Sequence, residues 1–353
     1  MSVRKVRGVY STAALVGAMI ACTGAESSPG VDPAPTGDSR VAPTSDRKPA
    51  PAGDARSGDA TLAPTGEPGI APPGNRQLAP TMAFDSRRAF EHLRKQVSFG
   101  PRPSGTPAIA ETRRYIIEQL KAAGIESREQ RFVGMTPLGE VSMANVIATI
   151  PGRRRETIAL ASHFDTKLYR EFVFVGANDG ASSTAALLEL GRVLKQRPNE
   201  FTIELLFLDG EEARLPEWRG NDNTYGSRHY VQAAQKDGSL ASLEALVLLD
   251  MIGDRDLVVR RDANSTPWLV DLVWAAARRL GHSGTFSNEL TAVEDDHIPF
   301  LRAGIPAVDI IDLDNPTWHT PQDTLEFVSP RSLQIVGDVV LAALPDLEQR
   351  LAR

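Results

Sequence analysis

The stretch that most constrains this chain is a mainly apolar run, Phe201 to Leu208, that stops in Asp209-Gly210-Glu211-Glu212. The run reads as a buried β-strand, and two adjacent carboxylates just past its end are costly there. Each needs a cation or a proton to be tolerated. A metal ion meets the need with one glutamate as ligand and its neighbour as proton carrier. A solvated loop bearing two surface acids is the plain alternative, so the weight falls on partners elsewhere in the chain.

The chain has 353 residues and a formal net charge of −6. Hydrophobic residues make up 41%, enough for a core, but they are unevenly spread. There is no basic stripe of the kind that binds nucleic acid. At the start, Arg4, Lys5 and Arg7 precede a short apolar run, Ala13 to Ala21, too short to span a bilayer comfortably. Residues 1–21 therefore read as a secretion signal. The single cysteine, Cys22, follows Met19-Ile20-Ala21, which resembles a bacterial lipobox. The expectation is an exported protein with a lipidated Cys22, anchored to a bacterial membrane and facing the periplasm or the exterior. A lone cysteine leaves the rest of the chain without a disulfide. Residues 22–81 are rich in Pro, Gly, Ala and Ser, too poor in apolar surface to fold, and read as a flexible tether.

From Met82 the composition turns globular, and residues 82–353 are expected to form one domain. Phe90, Leu93 and Val97 share a helical face, and Thr106-Pro107 opens a second helix that Gly124 ends. Strands are expected at 131–135, 141–150, 157–162, 201–208, 245–249 and 307–311. Helices are expected at 181–195, 227–236, 267–280 and 329–351. Apolar strands alternating with amphipathic helices predict an α/β fold. Its central sheet is mixed, mostly parallel, and covered by helices on both faces. In such sheets ligands bind at the carboxyl ends of strands. His163, Asp179, Glu211, Glu212 and Asp250 all fall at or just after such ends, and His319 follows in a late loop.

Taken singly, each has an ordinary reading. Asp179 caps a helix, His163 is a satisfied core histidine, and Asp250 forms a turn. Taken together, imidazole and carboxylate without thiolate suit a catalytic zinc. The order His-x-Asp, Asp, Glu-Glu, Asp, His resembles the zinc aminopeptidase family. In that family these ligand types hold two zinc ions, here His163, Asp179, Glu212, Asp250 and His319, and the first glutamate, here Glu211, is the general base.

A second resemblance is more specific. Ser162-His163-Phe164-Asp165-Thr166-Lys167, Asp209 to Ala213, Tyr225 to Arg228, Val293 to Phe300 and Trp318-His319-Thr320 resemble the glutaminyl-peptide cyclotransferases of the animal type. The likeness runs from about residue 85 to 350. It implies one zinc held by Asp179, Glu212 and His319, acid/base chemistry at Glu211, and hydrogen-bonded acids at Asp250 and Asp295. Trp218 and Trp318 would line the substrate pocket. It implies cyclisation of N-terminal glutamine on peptides and proteins to pyroglutamate, with release of ammonia. The alternative is a di-zinc aminopeptidase that also uses His163 and Asp250. A non-catalytic binding domain on the same fold would have no need to keep two adjacent glutamates. Three features depart from the cyclotransferase pattern. Asp309 stands where that family has histidine, Ser162 and Thr184 replace its cysteine pair, and Gly176 to Gly180 reads more like the aminopeptidases.

Overall fold

The computed structural model describes residues 83–353, and the expectations for the leader, Cys22 and the tether lie outside the described residues. Two helices open the described chain, α1 (Ser86–Val97) and α2 (Pro107–Ala122). Asp85 caps α1 by accepting from the Arg87 and Arg88 amides, and Thr106 caps α2 by accepting from Ile109. Each cap satisfies amides that have no partner within the helix. Next come β1 (Glu126–Thr136), β2 (Gly139–Ile150) and β3 (Thr157–His163), then α3 (Ala181–Lys195), β4 (Thr202–Leu208) and α4 (Tyr225–Asp237). The chain continues through β5 (Leu243–Asp250), β6 (Val259–Asp262), α5 (Pro267–Arg279) and β7 (Phe286–Thr291). It ends with α6 (His297–Arg302), β8 (Ala307–Ile311) and α7 (Pro330–Leu351).

The main sheet has the order β1-β2-β4-β3-β5-β8. β4, β3, β5 and β8 run parallel, while β1 and β2 are antiparallel to their neighbours. The sheet is therefore mixed, with a parallel half at its centre and one edge. Alternating side chains serve opposite faces. Ile203, Leu205 and Phe207 join a core with residues of α1, α3, α5 and α7. Leu206 and Leu208 face the other way, onto Tyr230 and Val231 of α4 and Phe300 of α6. Burial on both faces explains why these strands read as near-continuous apolar runs.

Three elements differ from the sequence expectation: the small parallel sheet of β6 and β7, and the short helix α6. β6 is Val-Arg-Arg-Asp and most of β7 is not buried, so neither carries an apolar run. Helix α6 is six residues long, too short for a helical period to be legible. The first hairpin also extends further than expected, because the polar residues 126–130 at its open end pair with 145–149 as well as apolar ones do.

Candidate metal centre and its pocket

Four parallel strands end on the same side, so their loops converge. β3 ends at His163, β4 leads into Glu211-Glu212, and β5 ends at Asp250. The Glu-Glu turn is fixed through its backbone. Asp165 accepts from the Glu211 amide with Oδ1 at 3.1 Å and from the Glu212 amide with Oδ2 at 3.3 Å. Asp209 accepts from the Ser104 hydroxyl at 2.6 Å and the Ala144 amide at 2.8 Å. Gly210 has φ +81°, and a Cβ there would lie 2.6 Å from Met143 Sδ, so only glycine makes this turn.

The turn presents Glu212 to Asp179 and His319. His319 Nε2 lies 3.3 Å from Glu212 Oε1 and 3.4 Å from Asp179 Oδ2. Asp179 precedes α3 and is braced from two sides. Asp323 accepts from the Asn178 and Asp179 amides at 2.6 and 3.0 Å. Arg102, fully buried, donates to the carbonyls of Phe164, Val175, Gly176 and Asp179. On the other side of Asp179, His163 Nε2 is 3.3 Å from Asp179 Oδ1 and 3.0 Å from Asp250 Oδ1. Asp179 thus bridges two three-ligand groups: Asp179, Glu212, His319 and His163, Asp179, Asp250.

Zinc fits the first group. One imidazole and two carboxylates are a usual catalytic donor set, and ligands of one tetrahedral ion sit about 3.3 Å apart. Asp179 Oδ2 and Glu212 Oε2 are buried without hydrogen-bond partners, as expected of atoms awaiting an ion. Electrostatics agree. Burial works against the His319 imidazolium, yet Glu212 and Asp179 push its pKa up to about 10. Burial would raise Asp179, but His163 and His319 hold it well below the usual carboxylate range. A point so favourable to a proton is favourable to a cation.

Glu211 sits beside this centre. Burial raises it well above the usual range against the opposing pull of His163, and Asp295 and Glu212 raise it further. Burial and the Asp250 charge raise Asp295 to about 6. Glu211, Glu212, Asp250, Asp295, Trp218 and Trp318 all line one cavity of roughly 290 Å³. Met251, Val293, Ile311 and Leu313 give it an apolar wall. Trp318 stacks on His319 at 4.4 Å between ring centroids. The non-glycine residues with positive φ among those described are Thr224, Met251 and His319. Thr224 donates its amide to the Glu211 carbonyl, and the other two line the cavity, so the strain gathers at this site.

All the residues singled out from sequence come to this one place. Given no role from the sequence were its supports: Asp165 and Lys167, quoted only within a motif, and Arg102 and Asp323. Buried Lys167 lies 3.6 Å from Glu212 Oε2 and donates to the Ala213 carbonyl. Its position in Ser162-His163-Phe164-Asp165-Thr166-Lys167 was a signal. Arg102 and Asp323 lie in loops with no pattern to mark them.

The comparisons with known proteins bear on the family. Residues 145–344 match the model of peptidase family M28. A glutaminyl-peptide cyclotransferase-like protein of Mus musculus is 33% identical over 276 residues, covering 69% of this chain and 72% of the relative. The chain belongs to the glutaminyl-peptide cyclotransferases of peptidase family M28. A solved Acidobacteriales bacterium glutaminyl cyclase superposes with TM-score 0.74 and 40% identity, over 79% of this chain and 100% of that one. A leucine aminopeptidase precursor of Bacteroides thetaiotaomicron superposes with TM-score 0.69 and 29% identity, over 75% and 98%. Against the cyclotransferase pattern, the expected departures have a physical form here. Ser162 and Thr184 hydroxyls lie 3.1 Å apart, a hydrogen bond where the animal enzymes have their cysteine pair. Asp309 is fully buried.

Proposed function

We propose that the chain is a glutaminyl-peptide cyclotransferase that closes N-terminal glutamine of peptides and proteins to pyroglutamate. The carrying observation is that Glu211 shares one cavity with the Asp179–Glu212–His319 centre, a cavity that Trp218 and Trp318 also line. We propose a single zinc at that centre. Bound there, it supplies Lewis acidity toward an amide oxygen.

The substrate brings both reacting groups. Its α-amine nitrogen bonds to the side-chain amide carbon, the bond from that carbon to the amide nitrogen breaks, and ammonia leaves. No water is consumed. Glu211 accepts the proton that the amine loses and returns it to the departing nitrogen. Its raised proton affinity suits it to carry that proton between steps. Asp250 and Asp295 orient the amide and share protons with Glu211. Asp250 is held by the Met251 amide at 2.8 Å and His163 at 3.0 Å. Trp218 and Trp318 pack the substrate's aliphatic part and exclude water from the ring closure.

A di-zinc aminopeptidase is the second reading. It is favoured by the His163–Asp179–Asp250 group, which could take a second ion, and by the likeness to a leucine aminopeptidase precursor. Mass spectrometry of products from Gln-initiated and Leu-initiated peptides separates the two. Loss of ammonia from the Gln peptide with the chain otherwise intact is expected. Release of free amino acids without pyroglutamyl product would establish the peptidase instead.

We further propose export and lipid anchoring through Cys22, with 22–81 as tether to a catalytic domain from 82 onward. The support is the basic start, the short apolar run and the lone cysteine beside it. Membrane fractionation of Cys22→Ser tests this: release from the membrane is expected, and unchanged fractionation would refute it.

A further inference from the structure

The cavity beside the metal centre has a floor and a mouth. Asp179, Glu211, Glu212, Asp250 and Asp295 line it and are buried, so they form the floor. Pro216, Ala292, Glu294 and Trp318 line it and are exposed, so they mark the mouth. On the cyclotransferase reading, on which this inference rests, the substrate's α-amine must reach Glu211. The floor is closed by buried side chains, so the rest of the peptide leaves through the mouth. The residue that follows the glutamine therefore passes Glu294 and Trp318.

The backbone around Glu294 is fixed. The Val293 amide donates to Asp262 Oδ1 at 3.0 Å, and the Val293 carbonyl accepts from Asn264 Nδ2 at 2.7 Å. On the other side the Asp295 carbonyl accepts from the Ile298 amide at 2.9 Å. The Glu294 carboxylate itself is free: among the described residues no hydrogen bond or ion pair engages it. The charges near it are already matched. Asp314, beside the lining residue Leu313, pairs with Arg260, and Arg219, beside Trp218, pairs with Glu217. The basic lining residues Lys167 and His319 lie 3.6 and 3.3 Å from Glu212. One uncompensated negative charge thus stands at the mouth, and no lining cation is left to answer it.

A lone carboxylate in water is ordinary, so the missing partner alone argues nothing. Its place does. Trp318 gives one face to His319 and remains 41% exposed. A guanidinium or ammonium group is attracted both to a carboxylate and to the face of an indole. An acidic side chain at the same point meets a like charge, which is a means of rejection. We propose that Glu294 sets the choice of substrate at the position after the glutamine. Peptides beginning Gln-Arg or Gln-Lys are favoured, and those beginning Gln-Asp or Gln-Glu are disfavoured. One exposed charge pair changes binding by roughly 1.4- to 5-fold. Attraction of the base and repulsion of the acid multiply, so the Gln-Arg to Gln-Glu ratio should be about tenfold at low salt.

The test measures kcat and KM of the zinc-loaded full chain for pyroglutamate formation. The substrates are Gln-Arg-, Gln-Leu- and Gln-Glu-initiated peptides of otherwise equal sequence. The preference should reside in KM, with Gln-Leu between the two charged peptides, and should shrink in about 0.5 M salt. Glu294→Gln should reduce the Gln-Arg to Gln-Glu ratio to about twofold, the part that Trp318 supplies. Glu294→Arg should invert it. A parental ratio near unity, or a ratio unchanged by Glu294→Gln, overturns the proposal. The same peptides are also titrated onto zinc-loaded Glu211→Gln, in the presence and absence of Glu294→Gln, to give dissociation constants without turnover. A Glu294-dependent preference in binding, with no pyroglutamate from the parent, would sink the cyclotransferase reading and leave Glu294 as the selector. Pyroglutamate formed without the preference would do the reverse.

Discussion

Two clusters of the same residue types sit within one fold, and they differ in access. Asp179, Glu212 and His319 gather in loops past the strand ends, and the His319 side chain keeps 20% exposure beside an open cavity. Asp295, His297 and Asp309 gather on β8 and at the start of α6, where His297 and Asp309 are fully buried and Asp295 alone reaches the cavity wall. The open cluster has a place beside it for a substrate, and Glu211 has no counterpart at the buried one. The lesson is that donor set alone does not mark a catalytic centre. An adjacent cavity and a free acid/base group do.

The largest effect expected from breaking this contrast is at the Glu-Glu pair. Glu211→Gln keeps size and some hydrogen bonding but cannot accept a proton. Loss of general acid/base help lowers kcat by about 10²–10⁴-fold. Zinc content, measured in the same sample, should stay at the parental level. Glu212→Gln exchanges a charged ligand for a neutral one and should come out zinc-poor. Equal zinc loss in both variants, or near-parental cyclisation by Glu211→Gln, would overturn this division of roles. His319→Ala should likewise weaken zinc at the open cluster by orders of magnitude, read by competition with a chelator.

Next in size are the braces. Asp323 holds the Asn178 and Asp179 amides, and it lies four residues beyond His319 in the same loop region. Asp323→Asn places a donor where two amide donors converge. Loss of such outer support typically costs 10–100-fold in metal affinity. The expected readout is a weaker zinc dissociation constant with an unchanged circular dichroism spectrum. Unchanged affinity would reduce Asp323 to a loop staple.

How much of this was legible in sequence follows from what each residue does. The strands β3, β4, β5 and β8 were legible because burial on both faces demands continuous apolar runs, and Ala307–Ile311 was placed to the residue. The candidate ligands were legible because polar groups at the ends of such runs stand out. β6, β7 and α6 were not, since they are short and β7 is largely solvent-facing. Arg102 and Asp323 act on backbone carbonyls and amides across 62 to 145 residues of sequence, and such contacts leave no local pattern. His297 was quoted only as part of a motif. Its meeting with Asp309 depends on how α6 packs, which no periodicity encodes.

Trp318 offers a smaller test of the open cluster. It stacks on His319 and is 41% exposed at the rim. Trp318→Ala removes an aromatic contact worth about 0.5–1.5 kcal/mol beyond its buried area. A several-fold rise in KM with little change in zinc content is expected. A fall in zinc affinity matching that of His319→Ala would instead make Trp318 chiefly a support for the ligand.

The smallest effect expected lies outside both clusters and sharpens the contrast as a control. His92 on α1 has its Nδ1 2.7 Å from the Tyr115 hydroxyl. Burial, helped by the nearby Arg88 charge, lowers its pKa from 6.5 to about 4. The folded protein therefore binds this proton less readily than the unfolded chain does. Its contribution is fully present above about pH 6.5, the unfolded value, and is lost as the pH falls from there toward 4. Partial exposure reduces the effect to the order of 1 kcal/mol. His92→Gln removes the titration, so denaturant midpoints for parent and variant should converge as pH falls from 7 to about 5. Because His92 lies away from the metal ligands, zinc should leave this difference unchanged, whereas acid loss of zinc from the open cluster should shift both proteins together. A constant gap between parent and variant across that range would mean that His92 titrates normally and that acid sensitivity comes from the clusters alone.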